Sequence, residues 1–230
     1  MYVGLTENRY EVLNFINRCG IVSLKQLKKV FTNMSRQNLH ATRKQLVELG
    51  YIEEISLSLE KLYLITTKGS KECNYYLKGL NFNSVILNHT LIVNEVLINE
   101  LGVIGFEKDN YKTERDIKQS YYVSGTFDKK ILDKIPDFII MTNGKQKAYE
   151  VELSLKKQSR LNRKINDYFN LVLDETYVQI VYICGNKEVE SHVMNSIDTV
   201  YAKRYQDLVN DDDIFTLNLV RDSFKVSRLG

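Results

Sequence analysis

Residues Lys134–Phe169 read KIPDFIIMTNGKQKAYEVELSLKKQSRLNRKINDYF. The acid Asp137 directly follows the chain's one proline, a second apolar run carries Glu150 and Glu152, and a basic helical stretch comes next. Side chains at i and i+2 of a strand point the same way, so Glu150, Glu152 and Ser154 share one face and Tyr149, Val151, Leu153 and Leu155 share the other. The spacing predicts an apolar face that packs and an acidic face open to a ligand. Twelve residues separate Asp137 from Glu150. That is room for a strand Pro136–Met141, a turn at Thr142-Asn143-Gly144 and an antiparallel return that brings the acids together. Three carboxylates near one point repel each other unless a cation lies among them. Mg²⁺, which takes a few carboxylates together with waters and phosphate oxygens, suits such a set. The order of acids and basic helix is that of a metal-dependent phosphodiester-cleaving site.

Outside this stretch, composition sets the frame. A chain of 230 residues holds one large domain or two small ones. It has no run of about 18 apolar residues and no basic-then-apolar start, so a cytoplasmic protein with no membrane partner is expected. Cys19, Cys73 and Cys184 are odd in number and lack metal-ligand spacing, so they read as small buried apolar residues. Charge is uneven. Residues 1–80 carry 12 Lys and Arg against 7 Asp and Glu, while the remainder carries 20 against 22. Between Ile21 and Leu46 stand Lys25, Lys28, Lys29, Arg36, Arg43 and Lys44 with no acid among them. Such a local excess fits a phosphate-backbone partner.

The same region is periodic. Helices are expected over Glu7–Arg18, over Leu24–Phe31 behind a Ser23 cap, and from Ser35 to Gly50. On the third, Leu39, Thr42, Leu46 and Leu49 read as inward and Arg36, Gln37, His40, Arg43 and Lys44 as largely outward. Two alternating runs, Tyr51–Leu57 and Lys61–Thr66, read as a hairpin around Ser58–Glu60. Three short helices and a hairpin make a winged helix-turn-helix, expected over residues 1–78. The third helix would enter the major groove of double-stranded DNA, and lysines of the second helix and wing would meet phosphates.

A break is expected at Tyr75–Ser84, followed by a helix Val85–Leu101 that contains His89, which takes no catalytic role. Phe106–Lys118 reads as a strand holding Glu114, and Gln119–Asp133 as a loop or extended hairpin. After the acidic hairpin come a helix Lys156–Leu173, a buried strand Tyr177–Cys184, a helix Glu188–Tyr205, an acidic loop Asn210–Asp213 and a strand Ile214–Val220. Residues 84–230 thus read as a three-layer α/β domain with a mixed sheet, and the chain as an α+β, two-domain protein.

Pro136-Asp137, then Glu150-Val151-Glu152 and a basic helix, resemble the PD-(D/E)xK nuclease fold. The wider order resembles the bacterial replication-relaxation family, in which a winged helix precedes such a domain. The resemblance rests on HTLIVNEV (His89–Val96), TERDIK (Thr113–Lys118), IPDFII (Ile135–Ile140), YEVEL (Tyr149–Leu153) and RKINDY (Arg163–Tyr168). It implies work on plasmid or other mobile-element DNA in replication, relaxation or transfer. It also implies metal ligation by Asp137 and Glu150, with Glu114 as an additional acid and Glu152 beside them. An active nuclease carries a lysine two residues after the strand acid, where it steadies attacking water and developing charge. Here that slot holds Glu152 or Ser154. Lys156 continues the strand parity, and Lys157, Arg160 and Lys164 follow at spacings that share a helix face.

Two readings follow. In one, Asp137, Glu150, Glu152, Lys156 and Lys164 form the catalytic set of a Mg²⁺-dependent endonuclease or nickase. In the other, the protein binds DNA without cutting it, its second domain serving as a backbone clamp or homodimerisation module. Lys156, Lys157, Arg160, Arg163 and Lys164 are then DNA contacts. A winged-helix transcriptional regulator is a third and weaker reading.

Overall fold

The computed structural model describes residues 5–57, 60–79, 84–132, 134–206, 208 and 211–229. It is a mixed α/β structure with two sheets, and the chain divides into two compact units. The first holds residues 1–107 and 115–127; the second holds 108–114 and 128–230.

In the first unit α1 (Glu7–Cys19) leads through β1 (Ile21–Ser23) into α2 (Leu24–Val30) and α3 (Arg36–Glu48). Then come β2 (Ile52–Leu57), β3 (Glu60–Ile65), α4 (Thr67–Glu72) and α5 (Ser84–Ile104). Local chemistry sets these boundaries. Ser23 and Gln26 form a reciprocal capping box at α2, and the Ser35 hydroxyl accepts from Asn38 N at α3. Strand β1, not expected from sequence, pairs antiparallel with β3, and β3 pairs with β2. Val12, Leu13, Ile16, Leu27, Leu39, Leu46, Ile52 and Tyr63 close one core between helices and sheet. Gly69 of α4 lies so near the start of β2 that an added Cβ would sit 2.1 Å from the Tyr51 carbonyl oxygen. Residues 58 and 59 of the expected hairpin turn, and 80–83 of the expected break, lie outside the described residues.

The second unit opens with a 3₁₀ turn, Lys108–Asn110, and β4 (Tyr111–Thr113). The chain then runs into α6 (Glu114–Val123), whose residues from Arg115 onward belong to the first unit. The rest of the second unit is α7 (Lys129–Leu132), β5 (Phe138–Thr142), β6 (Lys145–Glu152), α8 (Gln158–Leu173), β7 (Gln179–Cys184), α9 (Lys187–Gln206), α10 (Asp211–Asp222) and β8 (Phe224–Arg228). Its sheet has the order β4-β5-β6-β7-β8, antiparallel through β6 and parallel from β6 to β8. Because β6, β7 and β8 follow in order, both crossovers step the same way. Helices α8, α9 and α10 contact one another. They supply one helical layer, so these helices do not build the two layers of the three-layer expectation.

Several sequence expectations change. The strand expected over Phe106–Lys118 shrinks to Tyr111–Thr113, and Glu114 begins a helix. Buried Tyr111, Thr113, Arg115 and Ile117 alternate along the chain as a strand would. Arg115 is buried because its guanidinium donates to the Asn17 carbonyl and the Ser70 hydroxyl. The loop expected over Gln119–Asp133 contains the end of α6 and all of α7. The strand expected over Ile214–Val220 is helical. Buried Leu217 and Val220 are three apart, and Asp211–Asp213, read as part of a loop, belong to the first turn of that helix. Finally, α5 and most of α6 lie in the first unit, so that unit extends well beyond the expected limit of residue 78. The three cysteines are free and buried.

Candidate functional site

A two-residue turn sets the register of the acids. Asn143 and Gly144 have φ of 52° and 74°, the paired positive values of a type I′ hairpin turn, and Thr142 pairs with Lys145 across it. The ladder runs on to Phe138↔Tyr149. One step further, Asp137 stands opposite Glu150. Asp137 N donates to the Tyr149 carbonyl at 3.1 Å, and Asp137 Oδ2 accepts from Val151 N at 2.7 Å. On the β4 side, Glu114 N donates to the Asp137 carbonyl at 2.9 Å, so the Glu114 backbone extends the ladder at the level of Asp137.

The acidic face is not open, which corrects the expectation of a packed apolar face and a free acidic one. Both faces of β6 are buried. Tyr149 and Val151 pack on one side, with the Tyr149 ring stacked on Phe138 at 4.6 Å between centroids. On the other, Glu150 is 1% exposed and Glu152 3%. Helix α8 supplies the groups over Glu150. Lys164 Nζ lies 2.6 Å from Glu150 Oε1, and the Tyr168 hydroxyl donates to the same oxygen. Lys164 Nζ also reaches the Ile135 carbonyl at 3.4 Å. At the end of β6, Lys156 Nζ bonds Glu152 Oε1 at 2.6 Å. The Lys156 carbonyl is held in turn by His192 Nε2 at 2.9 Å. Asp137, Glu150, Glu152, Lys156 and Lys164, chosen from sequence as one set, therefore meet around one stretch of β6.

Electrostatics follow from this burial. Loss of water works to lower the Lys164 pKa, but the pull of Glu150, Asp137 and Glu152 exceeds it, and the ammonium ends above its usual value. Glu152 is pushed up, first by desolvation and also by Glu150, against the opposing effect of Lys156. Burial, reinforced by Glu150, raises Tyr168 and Tyr182 well above the ordinary phenol range. Tyr182, which pairs with Glu150 in the β6–β7 register, is fully buried, and its hydroxyl finds no hydrogen-bond partner. Sequence reasoning missed both tyrosines. Tyr168 was visible four residues after Lys164 on a predicted helix, and Tyr182 in a run that offered only apolar neighbours.

The donor types suit Mg²⁺, which favours carboxylate oxygen. One oxygen of each of the three acids already accepts an internal donor: Asp137 Oδ2 from Val151 N, Glu150 Oε1 from Lys164 and Glu152 Oε1 from Lys156. Among the described residues, no three His, Cys, Asp or Glu side chains gather as a metal-holding group.

The basic residues divide. Arg36, Gln37, His40 and Lys44 of α3 are exposed, as are Lys25 and Lys28 of α2. Arg43 is corrected from outward to buried: it donates to the Leu39 carbonyl and the Tyr63 hydroxyl, its guanidinium 5.0 Å from the Tyr63 ring centroid. Lys29 pairs with Glu95, and Lys61 of the hairpin pairs with Glu54 at 2.6 Å. An open groove beside α3 is lined by His40, Arg43, Lys44 and Lys61 together with Glu48 and Glu54, so its charge is mixed. On α8, Lys157 and Arg160 are exposed along with Arg163, whereas Lys164 turns to the carboxylates instead of sharing their outer face. No helix of the described residues is long and apolar enough to cross a membrane. No family model, curated protein or solved structure matches this chain.

Proposed function

We propose that this protein binds double-stranded DNA of a plasmid or other mobile element, in replication, relaxation or transfer. In this reading the first unit is a winged helix-turn-helix and the second a PD-(D/E)xK nuclease-like domain without cleaving activity. The observation that carries it is the solvent-facing start of α3. Arg36, Gln37, His40 and Lys44 are exposed there, with no acid between Ile21 and Leu46 and a β-hairpin directly after the helix. A helix start of this kind offers side chains to base edges, while Lys25 and Lys28 of the preceding helix meet phosphates. Lys157, Arg160 and Arg163 give the second unit its own cationic line for a DNA backbone.

Fluorescence anisotropy with labelled duplex tests this directly. Arg36→Ala and Lys44→Ala should each weaken binding and lower the slope of log K against log salt by about one. Unchanged affinity and slope in both variants would remove α3 as the contact.

The endonuclease reading is favoured by the convergence of Asp137, Glu150, Glu152, Lys156 and Lys164. Its test is nicking of supercoiled plasmid in Mg²⁺ or Mn²⁺, with Asp137→Ala as control. Cleavage lost in that variant would establish it, whereas cleavage persisting in Asp137→Ala would trace to a contaminant.

A further inference from the structure

We infer that the Lys164 ammonium is the resident cation of the carboxylate cluster, standing where a divalent ion would otherwise stand, so that the site is complete without metal. This deepens the nuclease-like reading of the second unit and does not depend on DNA binding. Three observations converge on it. Lys164 lies at the edge of the buried stripe of α8, between Leu161 and Tyr168, and is half-buried where Lys157 and Arg160 are exposed. Its Nζ bonds Glu150 at 2.6 Å, lies 3.4 Å from the Ile135 carbonyl, and feels Asp137 and Glu152 as well. Glu152 is separately matched by Lys156 at 2.6 Å. Glu150 and Glu152 are thus each met by an ammonium, and the Tyr168 hydroxyl supplies Glu150 with a further donor.

A metal ion entering this set meets a fixed positive charge on the carboxylate it needs most. It would have to push Lys164 out of a pocket in which that side chain is 17% exposed, leaving a displaced ammonium beside a dication. A buried ion pair with all its donors placed is a closed arrangement; losing one partner is what makes it costly. Removing the ammonium should therefore convert the cluster into a metal site. Glu150 Oε1 would then lose its bonded cation, and the charges of Asp137 and Glu152 would lose the ammonium that they act on.

The experiment is thermal unfolding and calorimetric titration of the full chain with Mn²⁺ and Mg²⁺, in EDTA-treated buffer at constant ionic strength. Wild type and Lys164→Arg should show no saturable metal-dependent rise in Tm and no binding heat. Lys164→Met should gain a saturable rise of about 5 °C with Mn²⁺, abolished by a second change, Asp137→Asn. Saturable binding to wild type that is lost in Asp137→Asn would overturn the inference, as would a folded Lys164→Met variant that binds no metal. Should Lys164→Met fail to fold, the wild-type titration still decides, since heat of binding overturns the proposal and its absence supports it. DNA affinity measured in the same buffers separates this outcome from failure of DNA binding itself.

Discussion

Both units bury charge, but with opposite balance. In the first, Arg115 reaches from α6 to neutral acceptors: the Asn17 carbonyl at 2.7 Å, the Ser70 hydroxyl at 2.9 Å and Asn17 Oδ1 at 3.2 Å. Beside it Arg18 pairs with Asp116 at 2.9 Å, and Tyr75 donates to the same carboxylate. These contacts join segments up to 98 residues apart. In the second unit the buried charges are carboxylates, Glu150 and Glu152, each met by a lysine, and the Tyr182 hydroxyl is left without a hydrogen-bond partner. The first unit buries arginines; the second buries acids beneath a helix.

That contrast can be broken most forcefully at Lys164. Lys164→Met leaves Glu150 buried without its counter-ion and should cost about 3–5 kcal/mol in denaturant unfolding. Adding Glu150→Gln should recover much of the loss, because the uncompensated charge is then gone. No recovery would mean that packing, not charge, is what Lys164 supplies.

Arg115→Ala comes next, at about 2–3 kcal/mol, since it strips charge-assisted donors from buried acceptors of the first unit. A smaller loss, within about 0.5 kcal/mol, would show that the network only decorates a core already held by apolar contacts.

Glu152 acts on stability in the opposite sense to Glu150. Its folded pKa is raised, mainly by burial, so the folded chain holds that proton more tightly than the unfolded one. The resulting stabilisation is full below the ordinary carboxylate pKa and is lost as pH rises through the folded value. At neutral pH the ionised group therefore costs stability. Glu152→Gln should leave stability unchanged or raise it by about 1 kcal/mol at pH 7, with the difference shrinking toward zero in acid. A clear loss at pH 7 would show that the Lys156 pair outweighs the burial.

The smallest effect on stability belongs to the surface. Arg36→Ala should shift it by no more than about 0.5 kcal/mol while weakening DNA binding. Arg43→Ala should lower stability through the lost Tyr63 and Leu39 contacts, so it is a poor probe of DNA contact.

Local chemistry explains what could be read without coordinates. Asn143-Gly144 announced a hairpin, and the two-residue turn then fixed which acids meet. Ser23, Ser35 and the 3.6-residue spacing of Leu39, Thr42 and Leu46 announced the early helices. Reading failed where a buried residue was polar or where alternation was accidental. Arg43 looks like any surface arginine until Tyr63 is brought to it by a strand twenty residues later. Arg115 imposes a strand-like burial pattern on the start of a helix, and in α10 the apolar alternation of Leu217 and Leu219 misleads, because Leu219 is exposed and Leu217 and Val220 are the buried pair. The closure of the acidic face was hidden for a related reason. Lys164 and Tyr168 were legible as helix residues, but which face of α8 they occupy depends on the packing of Leu161, Ile165 and Phe169.

The path of the chain between units has a consequence for how the protein is made. Residues 108–114 go to the second unit and 115–127 return to the first, so the first is not finished when its own sheet and α5 are complete. During synthesis Arg115 and Asp116 are the last of its buried polar partners to leave the ribosome, and until they do Asn17, Arg18 and Ser70 lack them. Vectorial folding of an N-terminal domain ahead of the rest is common. Here it must wait for a segment that lies beyond the first strand of the next unit, which ties completion of the first unit to a chain already committed to building the other.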